Sequence, residues 1–188
     1  GRVWRASARV RRDAVRRATL AHSKANHISD SSYDEAKIWD GLSPFGVEMI
    51  KEMNRLGIMI DISHVSDAAF YQALDVSEVP VIASHSSLRH FTPELERNVD
   101  DKMLKALAKN DGVIMINFGS FFLTKAAMDW SNKHSDAKAA FEKLQGDNLT
   151  EQASEDFSKA YKQRFPYPFA TTAAVSYTHL TLPTKRIV

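Results

Sequence analysis

The chain has 188 residues, a formal net charge of +2, 44% hydrophobic and 26% charged residues, and no cysteine. Those values describe one globular domain large enough to bury a core, and they exclude disordered, collagen-like and coiled-coil chains. Without cysteine there are no disulfides, thiolate metal sites, iron–sulfur clusters or cysteine nucleophiles.

The net charge hides an asymmetry at the amino-terminal end. Seven of the twelve arginines fall between Gly1 and Arg17, with one acid and no lysine. Such an arm suits nucleic-acid binding or an organelle presequence, and Val3, Ala6, Val10, Ala14 and Val15 also recur near helical spacing. A translation in the wrong frame explains arginine without lysine beside a lysine-rich body, and residues 1–17 are set apart on that ground. The body between Ala18 and Val175 holds 16 basic and 22 acidic residues. That acidic balance argues against a nucleic-acid partner. No run reaches the roughly 18 consecutive apolar residues that cross a bilayer, so no transmembrane segment is expected in this chain.

Between Ala18 and about Thr172, short β-rich runs alternate with amphipathic helices. AlaThrLeuAla at 18–21 is the first expected strand. Ser43 caps a helix that starts at Pro44, carries Phe45, Met49, Ile50, Met53 and Leu56 on one face, and ends at Gly57. IleMetIleAsp at 58–61 is the second strand, with Ile62 continuing the apolar run. Ser66 or Asp67 then opens a helix with Phe70, Ala73 and Leu74. ProValIleAlaSer at 80–84 is the third strand. Asp100 or Asp101 opens a third helix with Met103, Leu104, Leu107 and Ala108, and ValIleMetIle at 113–116 is the fourth strand.

The continuous apolar runs predict a parallel sheet buried on both faces. Beyond Phe118 the pattern is helical, with one run through Ala137, Ala140, Phe141 and Leu144 before Gly146. A second runs from Thr150 through Phe157 and Tyr161 to the ProTyrPro at 166–168. The tail from Ser176 to Val188 resembles translated sequencing-adapter read-through and is excluded from the fold.

Two histidines close their strands in the same phase. Ile58, Ile60 and Ile62 precede His64 at steps of two, and Val81 and Ala83 precede His85, so both side chains are expected on one side of the sheet. Adjacent parallel strands lie about 4.8 Å apart, close enough for two imidazoles to share one metal ion. His22 follows the first strand at the same carboxyl edge, where barrel active sites lie, in position for substrate or oxyanion contact. Each histidine also has a plainer reading as a buried or capping polar residue, and His27 suits capping better than His22 does. His90 and His134 read as surface residues. Asp61 is out of phase with His64 and reads as structural support. Arg97 has a fork that suits a substrate carboxylate, although flanking Glu94, Glu96 and Asp100 also suit a surface ion pair.

The strings TLAHSKANHISDSSYD, GLSPFGVEMIKEMNRLGIMIDISHVSD, PVIASHSSLRHF, ERNVDD and GVIMINFGSFFL, in that order, resemble the membrane (renal) dipeptidase family. These are zinc-dependent metallopeptidases on a TIM-like barrel in the amidohydrolase-related group. The resemblance implies an α/β fold, here about four βα units of an eight-fold barrel, spanning residues 18–172. It implies two zinc ions bridged by a glutamate and a hydroxide, hydrolysis of dipeptides by metal-activated water, and a homodimer. By that resemblance His64 and His85 are the two histidine ligands of one zinc, His22 contacts the substrate and its tetrahedral intermediate, and Arg97 holds the substrate carboxylate.

The family's His-x-Asp pair, its bridging glutamate and its late catalytic aspartate have no counterpart here. Two of five metal ligands are matched, so this polypeptide alone is expected to be inactive. Two other readings are a related hydrolase of lactones or cyclic amides and a non-catalytic degenerate barrel.

Overall fold

The computed structural model describes residues 15–169. Residues 1–14 and 170–188, which hold most of the arginine-rich segment and the whole adapter-like tail, lie outside the described residues. The element order is β1 (Arg17–Thr19), α1 (Pro44–Leu56), β2 (Met59–Asp61), α2 (Asp67–Val76), β3 (Ile82–Ser86), α3 (Asp101–Lys109), β4 (Val113–Ile116), α4 (Ser120–Leu123), α5 (Lys125–Gln145) and α6 (Glu151–Arg164).

Every helix except the short α4, which follows Gly119, starts where a side chain satisfies an orphan backbone N–H. Ser43 Oγ accepts from the Gly46 N–H at 2.9 Å, Ser66 Oγ from Ala69 at 3.3 Å, and Asp100 Oδ1 from Met103 at 2.8 Å. Of the paired alternatives, Ser66 and Asp100 are therefore the caps, with Asp67 and Asp101 as first helical residues. Gly57 ends α1 in the left-handed region at φ 69°, where its N–H reaches back to the Asn54 and Met53 carbonyls. Gly46 is required for a different reason: a Cβ there would stand 2.1 Å from the Ile28 carbonyl oxygen.

The four strands form one parallel sheet in the order β1-β2-β3-β4. Spatial order that follows chain order without reversal is the arrangement of a (β/α) barrel, whereas a doubly wound sheet reverses at a switch point. Ile60 and Ala83 from the sheet, with Val81 just before β3, join Ile50, Met53, Phe70, Ala73, Met103, Leu104 and Leu107 from α1, α2 and α3 in a single core. Ile114 and Ile116 of β4 pack against it.

Several expectations need correction. The first strand spans Arg17–Thr19 rather than 18–21, and Arg17 is tied into the sheet by an ion pair with Asp61 at 2.7 Å. The second strand ends at Asp61 as expected but starts at Met59, and the third runs from Ile82 to Ser86 rather than over 80–84. The sheet is not buried on both faces: Met59, Val113 and Met115 are exposed among the described residues. The helices cover only the face carrying Ile60, Ala83 and Ile114, and the pleat turns alternate residues to the other side.

The helical run placed over 137–144 belongs to the 21-residue α5, which begins after the Thr124 cap. Its first half buries only Ala127 and Met128 and otherwise carries Ala126 and Trp130 among polar residues, so the periodic signal there is thin. His134 is not a surface residue either. It is half-buried between α5 and α6, stacked on Trp130 at 5.2 Å and edge-on to Tyr161. His90 is exposed, as read.

Candidate active site

The carboxyl edge of the sheet gathers His22, His64 and His85. The Nε2 atoms of His64 and His85 lie 2.8 Å apart, and the His22 ring stacks on His64 with centroids 4.2 Å apart. The three residues expected to meet do meet, but strict strand phase is not what brings them together. Ile60 and Ala83 face the helical core, so steps of two from them would carry His64 and His85 to that same face.

Two departures from regular backbone re-aim the rings. His64 lies beyond the end of β2 with φ of 73°, a left-handed conformation that few non-glycine residues adopt. In β3 the register against β4 shifts between Ala83 and Ser86: three residue steps on β3 oppose two on β4, from Ile114 to Ile116. That extra residue is a β-bulge at the strand end carrying His85, a device that commonly redirects a side chain beside a site.

The segment after β1 is fixed by polar contacts. Buried Asp30 accepts backbone N–H bonds from Ile38, Trp39 and Gly41 at 2.8, 3.1 and 3.0 Å, which closes the 30–41 loop around one carboxylate. Ser31 Oγ donates to the His22 carbonyl. His22 itself is exposed, with Nδ1 2.8 Å from Ser23 Oγ. The His27 ring is exposed, while its carbonyl accepts from Ser43 Oγ at 2.7 Å, so this residue does help to cap polar groups.

Asp61 is fully buried and structural, but it ties neighbouring strands together rather than strand to helix. Its Oδ2 accepts from Arg17, Thr19 and Ser84, and its Oδ1 from the Ser63 and Ser84 N–H groups. Burial alone would raise its pKa, but the bonds from Ser84, Ser63 and Thr19 outweigh burial and hold the carboxyl below its ordinary range. Sequence reasoning missed Ser84, which touches both Asp61 and His85 Nδ1. Its one signal was adjacency to His85. Asp30 was also missed, since one aspartate in a polar loop carries no distinguishing pattern.

Arg97 is buried at 4% exposure, which sets aside the surface ion-pair reading. The neighbouring acids are engaged elsewhere: Glu94 with Lys125, Glu96 with Lys37, and Asp100 at the α3 cap. The guanidinium donates to Ser86 Oγ at 2.7 Å and to the His85 carbonyl, and its Nε has no partner. It makes no ion pair among the described residues, so a buried cation stands beside the histidines bonded only to neutral acceptors.

This environment keeps the imidazoles neutral. Burial, followed by the Arg97 charge, pushes His64 down to about 3, and the same two causes lower His85. Neutral imidazole is the form that ligates a metal. The facing Nε2 atoms therefore fit one imidazole-binding cation, with His64 Nδ1 left buried and unpartnered. Among the described residues no group of three or more histidines or acids is arranged to hold a metal ion. The pair supplies two donors of such a site.

A parallel βα sheet with convergent, neutral histidines at its carboxyl edge has the layout of a metal-dependent hydrolase barrel. A family model described as membrane dipeptidase, peptidase family M19, matches residues 8–160. The chain belongs to the membrane dipeptidase family. It is 53% identical over 104 residues to dipeptidase tcpJ of Claviceps purpurea, a match covering 55% of this chain and 24% of that protein.

The probable dipeptidase PvdM of Pseudomonas aeruginosa shares the fold, with TM-score 0.69 and 24% identity over 96% of this chain and 50% of that one. A metallo peptidase from Rhodobacter sphaeroides, solved with a phosphinate mimic of the dipeptide L-Ala-D-Ala, aligns with TM-score 0.54 and 27% identity. That alignment covers 58% of this chain and 32% of the other. The chain thus spans about a quarter of the length of the curated relatives it matches.

Proposed function

We propose that this chain is the part of a zinc-dependent dipeptidase that carries two ligands of one zinc, His64 and His85, with His22 and Arg97 facing the substrate. The observation that carries the reading is the meeting of two neutral imidazoles at 2.8 Å beside a buried arginine without a carboxylate partner. The first pair asks for a cation and the second group asks for an anion. A dipeptide, with a polarisable carbonyl near a free carboxylate, presents both needs at once.

Zinc held by His64 and His85 would supply Lewis acidity and would activate water for attack on the peptide bond. The remaining roles fall to this chain. Arg97 uses two of its five N–H groups on Ser86 and the His85 carbonyl, which leaves charge and donors for the substrate carboxylate. When Ser23 Oγ–H donates to His22 Nδ1, the His22 Nε2–H is free to donate to the oxyanion that forms as the carbonyl becomes tetrahedral. Burial around His64 and His85 keeps both rings unprotonated and open to metal.

The described residues supply two of the ligands this chemistry needs, so the 188-residue polypeptide alone is proposed to be inactive. The test is dipeptide hydrolysis with zinc by two proteins: the 188-residue chain and the full-length product of its genomic locus, read independently across both ends. The reading expects chelator-sensitive hydrolysis by the full-length product and none by the chain. A full-length product that binds no zinc and cleaves no dipeptide overturns it in favour of a non-catalytic barrel. One that cleaves lactones or cyclic amides and leaves dipeptides intact overturns the substrate assignment.

A further inference from the structure

His85 meets the site through one nitrogen and the protein through the other. Its Nδ1 lies 2.7 Å from Ser84 Oγ, and Ser84 Oγ lies 2.5 Å from Asp61 Oδ2. Asp61 is ion-paired with Arg17 at 2.7 Å and accepts five hydrogen bonds, so its carboxylate has no proton to give. A hydroxyl has a single hydrogen. With that hydrogen committed to Asp61, Ser84 can only accept from His85, and the proton of the neutral imidazole must sit on Nδ1.

We infer that Ser84, anchored by Asp61, is a positioning residue that locks His85 as the Nδ1–H tautomer and so aims a bare Nε2 lone pair at the metal position, a role that rests on the zinc reading above. The contact with His64 then has one direction. Because His85 Nε2 carries no hydrogen, the 2.8 Å approach requires His64 Nε2–H to donate when no metal is bound. That in turn leaves His64 Nδ1 as an unprotonated acceptor, in agreement with its lack of any partner. One chain of hydrogen bonds runs His64, His85, Ser84, Asp61, and its polarity is fixed from the charged end.

The bulge in β3 makes the relay geometrically available. Thr19, Asp61 and Ile82 share a face through the strand register, and Ser84 follows Ile82 by two residues on that face. The irregular step between Ala83 and Ser86 lets the next residue, His85, turn its ring back so that Nδ1 meets its neighbour's hydroxyl. Metal-binding histidines generally need such a partner on the second nitrogen, and its removal typically costs 10–100-fold in affinity.

The test uses nitrogen-15-labelled histidine in the 188-residue chain, without metal, comparing Ser84→Ala and Ser84→Thr with the parent sequence. The parent is expected to show a pyrrole-type signal at His85 Nδ1 and a pyridine-type signal at Nε2. Ser84→Ala is expected to lose that pattern and Ser84→Thr, which keeps a hydroxyl, to retain it. In the full-length product, zinc affinity by chelator competition is expected to fall about 10–100-fold in the alanine variant and by less than about threefold in the threonine variant. An Nε2–H signal at His85 in the parent, or an unchanged tautomer in a folded Ser84→Ala chain, overturns the inference. The expected tautomer in a full-length product that takes up no zinc supports the hydrogen-bond lock and counts against the zinc reading alone.

Discussion

His64 and His85 touch through their Nε2 atoms at 2.8 Å across 21 positions of sequence, and neither reaches that contact by regular strand geometry. One sits in a left-handed turn and the other follows a bulge. Backbone irregularity of this kind costs energy and survives where surrounding packing determines it. Here the support is visible: the Ser32 N–H donates to the His64 carbonyl at 2.8 Å, and Ser63 Oγ accepts the His85 N–H at 3.1 Å.

Arg97 is the first target for function. On the proposed function, Arg97→Lys in the full-length product should raise KM for a dipeptide about 10–100-fold, the equivalent of one charge-assisted hydrogen bond of roughly 1.5–3 kcal/mol. Preference for the dipeptide over its carboxyl-blocked amide should shrink by a similar factor. Steady-state kinetics on both substrates check this, and an unchanged preference would remove Arg97 from carboxylate recognition.

Acid should destabilise the metal-free chain before ordinary carboxylates titrate. His64 is held at about 3 in the fold against 6.5 for a free histidine, so between those values the unfolded chain binds the extra proton. The stabilising contribution is complete above about pH 6.5 and is lost progressively as the pH falls toward 3. Asp61, whose pKa is lowered, adds a further loss as the pH falls through its folded value, below 3.8. Urea midpoints measured from pH 7 to 4 should therefore decrease. His64→Asn, which tolerates the left-handed backbone, should flatten that decrease.

The junction between α1 and the loop after β1 should be sensitive to a single methyl group. Gly46→Ala places a Cβ against the Ile28 backbone oxygen, which cannot rotate away, and should cost about 1–3 kcal/mol or more. Ser43→Ala removes both the cap of α1 and the bond to the His27 carbonyl and should cost about 1–2 kcal/mol. Denaturant unfolding of the two variants checks both values, and a change below about 0.5 kcal/mol would be the typical surface result.

Phe70 is 1% exposed at the centre of the core shared by α1, α2 and the sheet. Phe70→Ala should cost about 3–5 kcal/mol through lost burial and a residual cavity. An unfolding midpoint near that of the parent would mean the core closes over the gap.

By itself the sequence determined the local events. Capping chemistry at Ser43, Ser66 and Asp100 and the αL glycine at 57 are decided within four residues of chain, so they were legible, as was β4 at 113–116. The long dipeptidase-like strings likewise pointed to the family. Tertiary structure decided what depends on distant partners. Strand limits follow pairing, as Arg17 shows by joining β1 through Asp61, 44 positions away.

The burial of Arg97 and the packing of His134 between α5 and α6 were not legible, because each depends on elements that approach only in the folded chain. The meeting of His64 with His85 was foreseen from strand phase, yet it is produced by the two places where phase breaks. A period of two describes a regular strand and carries no information about a bulge or a left-handed residue, which the neighbouring strands and loops impose.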